Sequence, residues 1–203
     1  MIFLFRHGET TAPKVPRSFI GQTDWPLSPK GRDQADRWRQ ALSSIVFDRI
    51  ICSPLSRCQE TARILARDRK LEPEVVADLT EINLGRWEGM EMTTVRQHDP
   101  EAWQVRGQQL DAYRPPDGES FSDLLARAWP AFADLLAAGK GNLAVVAHAG
   151  VNRVLLCRML GMPLANLFRL GQDFSALNLI DNFKAPARVT GLNLTLDRFQ
   201  CLP

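Results

Sequence analysis

Apolar and polar positions along this chain fall into two alternating rhythms. Ile2-Phe3-Leu4-Phe5 is a short, unbroken apolar run, the signature of a strand buried on both faces. A polar loop rich in Thr, Pro and Gly follows over residues 8–27. Ser28-Pro29 reads as an N-cap with proline in the first helical turn, and Ala35, Trp38 and Leu42 then recur at helical spacing. Residues 48–52 suit a second core strand. A helix is expected over 56–67, with Cys58, Ala62 and Leu65 inward, and a short strand over 74–77. Residues 78–118 are loop-rich with short helical pieces. The longest helix is predicted over 120–138, where Ser120 and Asp123 resemble a capping box. Phe121, Leu124, Leu125, Ala128, Phe132, Leu135 and Leu136 form its apolar face. Pro130 lies inside it and removes the hydrogen bond to the carbonyl of Ala126, so a kink or two helices are expected; Gly139 and Gly141 end it. Residues 143–147 form another doubly buried strand, ending at His148. A helix with Val151, Val154, Leu155 and Met159 inward comes next, and two strands at 176–181 and 188–195 close the pattern.

Strands alternating with amphipathic helices predict an α/β fold: a three-layer α/β/α sandwich, its central sheet mostly parallel and covered by helices on both faces. A chain of 203 residues suits one domain, 1–203. Parallel strands share one carboxyl edge, which is where open α/β sheets bind ligands. The strand at 2–5 runs into Arg6-His7-Gly8, that at 143–147 into His148, and that at 48–52 into Ser53-Pro54-Leu55-Ser56-Arg57. Topology therefore predicts that these three loops converge.

The net charge of +2 comes from scattered residues, without a basic stripe, so nucleic acid is not an expected partner. No stretch approaches 18 apolar residues, so no membrane helix is expected, and residues 2–5 are too short for a signal-peptide core; the expected location is cytoplasmic. Cys52, Cys58, Cys157 and Cys201 make no CxxC pair and no zinc spacing, and read as free structural thiols. With three histidines in the chain, no metal site and no cofactor is expected.

Two histidines, two arginines and a carboxylate at one sheet edge suit phosphoryl transfer, where catalysis is mainly positioning and charge stabilisation. The planar fork of arginine matches phosphate oxygens and stays charged. A neutral imidazole can attack phosphorus, and neighbouring arginines keep it neutral. A carboxylic acid can then protonate the departing alcohol.

Leu4-Phe5-Arg6-His7-Gly8-Glu9-Thr10 resembles the signature of the histidine phosphatase superfamily, in its phosphoglycerate mutase-like branch. Gly21-Gln22-Thr23-Asp24-Trp25-Pro26-Leu27-Ser28, with Gly31 and Gln34-Ala35, is similar to that family's loop and first helix. Ser53-Pro54-Leu55-Ser56-Arg57-Cys58-Gln59-Glu60-Thr61-Ala62 matches its second motif. Leu79-Thr80-Glu81-Ile82-Asn83-Leu84-Gly85-Arg86-Trp87-Glu88-Gly89 and Val145-Val146-Ala147-His148-Ala149-Gly150 complete the order. The resemblance implies a phosphorylated nucleophile at His7, a proton donor at Glu81, a second histidine at His148, and phosphate contacts from Arg6, Arg57, Gln22 and the backbone of Ala149. Ala149 stands where the family more often has Gly, and Pro13 where many members have Asn. The stretch between Glu81 and His148 lacks the extra basic segment with which phosphoglycerate mutases hold a bisphosphate, which favours water as the phosphoryl acceptor. The implied activity is hydrolysis of a small-molecule phosphomonoester. Gly21-Gln22-Thr23-Asp24 and Gln172-Asp173-Phe174-Ser175-Ala176-Leu177-Asn178-Leu179-Ile180 resemble the α-ribazole-5′-phosphate phosphatases of cobalamin synthesis. A cofactor-dependent phosphoglycerate mutase and a non-catalytic phosphate-binding member are the alternatives, the latter opposed by the presence of all five catalytic-type residues. Oligomeric state stays open, with a homodimer as one form.

Outside these motifs, His98 reads as exposed and Arg17, Arg86 and Arg114 as surface charges. Trp25 and Trp87 adjoin motif residues and are expected at a substrate pocket, Trp103 in packing.

Overall fold

The computed structural model describes residues 1–13, 17–138 and 141–200. Part of the 8–20 loop, Gly139 and Cys201 lie outside the described residues. Six strands form one sheet: β1 (Ile2–Arg6), β2 (Arg49–Cys52), β3 (Glu74–Val75), β4 (Leu143–Ala147), β5 (Leu177–Asp181) and β6 (Arg188–Leu194). Their order is β3-β2-β4-β1-β5-β6. β1, β2, β3 and β4 pair in parallel, whereas β5 runs antiparallel to both β1 and β6.

Side chains alternate across a strand, so each central strand feeds two cores. Ile2 and Leu4 of β1, with Leu143, Val145 and Ala147 of β4, face one core. It is completed by helices α5 (Phe121–Ala137) and α6 (Ala149–Leu160). Phe3 and Phe5, with Ala144 and Val146, face the other. That side is covered by α1 (Pro29–Ala41) and α2 (Ser56–Ala66), through Trp38, Cys58, Ala62 and Leu65. Helices thus cover both faces, and the architecture is the expected three-layer sandwich.

The predicted caps form. Ser28 Oγ accepts from the Gly31 N–H at 3.1 Å, and Ser120 and Asp123 complete a capping box. The expected break at Pro130 does not occur: α5 runs through it as one helix. Ala126 and Pro130 both face solvent, so the freed carbonyl can be hydrated and the ring meets no packed neighbour. The loop-rich stretch contains two short helices, α3 (Met92–His98) and α4 (Pro100–Gln108), and 3₁₀ turns at Ala77–Leu79 and Gly85–Trp87. No helix is long and apolar enough to cross a membrane among the described residues.

Candidate active site

β1 and β4 are parallel neighbours in a register that sets Arg6 against Ala147. The next residues, His7 and His148, therefore leave the sheet side by side, with ring centroids 5.2 Å apart at 63°. β2 flanks β4 on its other side with Cys52 against Val146, and Ser53 follows. The convergence expected from topology is present.

His7 is buried but lines a cleft of about 640 Å³. Its Nδ1 lies 2.7 Å from the carbonyl of Gly8. A carbonyl only accepts, so Nδ1 carries the proton and Nε2 keeps its lone pair. Burial pushes the imidazole pKa well below its ordinary value, and the charges of Arg6 and Arg57 push it further. His7 is therefore a neutral base with one free nitrogen, the state a nucleophile needs. Gly8 is required by close approach, because a Cβ there would strike the backbone of Gly31.

His148 stands behind His7. It is fully buried and does not line the cleft. Nε of Arg57 donates to its Nδ1 at 3.3 Å, so its Nε2 carries the proton and donates to Ser53 Oγ at 2.7 Å. Burial lowers its pKa strongly, with smaller contributions from His7 and the arginines. In this geometry His148 orients Arg57. The Arg57 guanidinium also donates to the carbonyls of Thr23 (2.8 Å) and Gly21 (2.6 Å). Three of its five N–H groups are thereby used; Nη1 also lies 3.8 Å from Asp24 Oδ1, and the side chain lines the cleft.

Arg6 donates from Nη1 to the carbonyl of Gln172 at 2.7 Å, and its Cζ lies 3.8 Å from the ring centroid of Phe174. Its Nε is buried without a partner among the described residues. Burial lowers its pKa to about 10, which leaves it charged at neutral pH. A buried cation with an unmet donor at a cleft wall suits an anion.

Glu81 is seated on the N-terminus of α6. Its Oε2 accepts from the Gly150 N–H at 3.0 Å, and its Oε1 from the N–H groups of Val151 (3.2 Å) and Ile82 (3.0 Å). The first turn of a helix presents such unpaired donors and a positive dipole end. Gln22 does not line the cleft; its Nε2 donates to the Glu81 carbonyl at 2.9 Å and so braces Glu81 from behind. Glu81 and Ala149 line the cleft together with Arg6, His7 and Arg57. Among the described residues, no group of three or more His, Cys, Asp or Glu is arranged to hold a metal ion.

A family model described as the histidine phosphatase superfamily (branch 1) matches residues 2–195. The chain belongs to that superfamily. It is 31% identical to an adenosylcobalamin/alpha-ribazole phosphatase of Escherichia coli, over 89% of each chain. It is 32% identical to a probable phosphoglycerate mutase GpmB of an Enterobacter species, covering 94% of this chain and 88% of that one. Among solved structures it resembles an alpha-ribazole phosphatase from Shigella flexneri, with a TM-score of 0.84 and 30% identity over 96% of each chain.

This histidine phosphatase departs from the sequence reading at several outer positions. Trp25 lines the cleft as expected, but Trp87 is buried and packs on Phe19 and Tyr113, at 5.1 and 5.3 Å between centroids. Trp103 packs near Phe19, also as expected. Arg17 is exposed, as expected, and also borders the cleft. Arg86 and Arg114 pair with Asp117 and Asp123, and His98 is exposed with Nδ1 against the Thr94 carbonyl. Arg106 of α4 and Arg153 of α6 also reach the cleft. Neither carries a local sequence signal. Ser53, the partner of His148, was visible only as part of a motif.

Proposed function

We propose that the protein hydrolyses phosphomonoesters by way of a phosphohistidine at His7. The observation that carries this reading is the state of His7: a neutral, buried imidazole whose free Nε2 belongs to a cleft shared with Arg6 and Arg57. In the first step Nε2 forms a bond to phosphorus while the bond from phosphorus to the ester oxygen breaks. Arg6, Arg57 and the backbone of Ala149 hold the equatorial oxygens, where the negative charge is spread. Glu81 passes a proton to the departing oxygen. In the second step water attacks phosphorus, Glu81 takes a proton from it, and the P–N bond breaks to release phosphate and neutral His7.

The relatives named as alpha-ribazole phosphatases support α-ribazole-5′-phosphate as the substrate, and so does the segment 172–180. Mutase chemistry is the second reading, raised by the relative named phosphoglycerate mutase. A cleft of about 640 Å³ is large for a three-carbon acid, which favours the first. On this reading residues 1–203 act as one domain in the cytoplasm, either alone or as a homodimer. Phosphate release from a panel of phosphomonoesters decides between the two. The expected result is fast hydrolysis of α-ribazole-5′-phosphate. Interconversion of 3- and 2-phosphoglycerate with little hydrolysis would overturn it.

A further inference from the structure

The cleft offers more than phosphoryl transfer uses. Away from the catalytic groups its wall is mainly apolar and aromatic, and Phe168 is its most exposed aromatic. Phe168 sits on a 3₁₀ turn, Leu164–Arg169, and is 51% exposed, whereas Phe19 and Phe121 in the same wall are buried. The Phe121 ring meets Phe168 edge to face, with centroids 5.8 Å apart at 89°. Such a contact fixes the ring orientation while leaving area uncovered. Two guanidinium groups flank it. Cζ of Arg153 lies 5.3 Å from the Phe168 centroid and Cζ of Arg106 lies 6.0 Å from it. Arg153 is held by its Nε on the Leu170 carbonyl at 2.9 Å. Arg106 also lies over the rings of Phe19 and Trp103, at 5.4 and 5.9 Å. Among the described residues no carboxylate pairs with Arg106.

Two ligand chemistries suit this wall. One is a second anion, drawn to Arg106 and Arg153. The other is a planar ring, which stacks on an aromatic face and on guanidinium planes alike. The geometry favours the ring. Both cations already rest on aromatic faces, which meets part of their need for negative charge. The cleft volume also exceeds what a small phosphorylated acid would fill.

We propose that Phe168, flanked by Arg106 and Arg153, is the specificity platform of this cleft, and that it stacks a planar heteroaromatic ring carried by the leaving group, as in a nucleoside 5′-monophosphate. The proposal rests on the reading above, whose α-ribazole-5′-phosphate itself carries such a ring on its leaving group; what it adds is the residues that read the ring.

The test compares kcat/KM for adenosine 5′-monophosphate and for ribose 5-phosphate, which lacks the ring, in the wild type and in Phe168→Ala, Phe168→Leu and Phe168→Tyr. Stacking of a base on an aromatic side chain is worth roughly fivefold or more. The wild type is expected to prefer the nucleotide by at least that factor. Phe168→Ala and Phe168→Leu are expected to lose the preference, mostly through KM, and Phe168→Tyr to keep it. Ribose 5-phosphate, which has no ring to stack, is expected to change far less than the nucleotide throughout. A preference that survives in Phe168→Leu would show that apolar bulk suffices and would overturn the stacking claim. So would a preference for 3-phosphoglycerate over ribose 5-phosphate that disappears in Arg106→Met, since that pattern marks a second-anion site. Equal hydrolysis of nucleotide and ribose 5-phosphate by the wild type defeats the platform but leaves catalysis at His7 standing. No hydrolysis of either compound or of p-nitrophenyl phosphate defeats both.

Discussion

A single methyl group at position 150 should unseat Glu81, the proposed proton donor. The Gly150 N–H donates to Glu81 Oε2 at 3.0 Å, and the Val151 N–H to Oε1 at 3.2 Å. A Cβ on residue 150 would collide with Glu81 Oε1 and lie only 3.2 Å from Cδ, so the carboxylate must move. The backbone itself accepts alanine, because Gly150 is not among the glycines held at positive φ. Alanine is also the better helix residue, by about 1 kcal/mol. That gain offsets part of the lost carboxylate contacts, each worth about 1.5–3 kcal/mol. Gly150→Ala is therefore expected to fold, with its main penalty in catalysis.

Misplacing a reacting group by about 1 Å costs on the order of 10²-fold, and general acid catalysis is worth roughly 10²–10⁴-fold in all. The variant should accordingly slow phosphorylation of His7 by an alkyl phosphate by about 10²-fold. It should slow the same step far less with p-nitrophenyl phosphate, whose nitrophenolate departs readily without a proton. Single-turnover rapid quench is the assay, because in the proposed mechanism Glu81 also activates water in the second step and would depress both steady-state rates. Equal slowing of the first step with the two substrates, in a variant with a near-normal melting temperature, would refute the reasoning.

Two further outcomes follow from the charges at the site. His7 and His148 have folded pKa values well below 6.5, lowered by burial first and by neighbouring charges second. Above pH of about 6.5 both states of the chain hold these rings neutral and they contribute nothing to pH dependence; below it the unfolded chain binds protons that the folded one refuses. Stability should fall between pH 6.5 and 5.5, by up to about 1.4 kcal/mol per pH unit for each ring. Urea midpoints that do not move between pH 7.5 and 5.5 would contradict this. In the proposed mechanism Arg6 and Arg57 supply the positive charge that a metal supplies in other phosphatases. Activity should thus survive exhaustive dialysis against a chelator, and a loss restored only by added metal would count against the assignment.

What the sequence made legible was whatever the backbone alone dictates. Apolar runs gave the central strands, and two such runs ending in histidine gave the site, because parallel register carries both chain ends to one edge. Caps at Ser28 and Ser120 were readable for the same reason: they act within one helical turn. The unbroken course of α5 through Pro130 was not, since it depends on which face of the helix meets solvent. Side-chain destinations across long sequence separations were least legible. Gln22 adjoins a motif, but nothing local shows that its amide reaches the carbonyl of Glu81. Trp87 was expected at the pocket and packs in the core, while Arg17, Arg106 and Arg153 come to the cleft from three separate segments. No local pattern marks such residues, because only the packed fold brings them together.

The central claim is that the phosphoryl group passes through His7. Mixing the enzyme with a ³²P-labelled phosphomonoester and quenching within milliseconds tests it most directly. The account predicts a stoichiometric label, stable to base and lost in acid, on a peptide containing His7 and absent from the His7→Asn variant. A label on His148, or none during a turnover that releases phosphate, would contradict it.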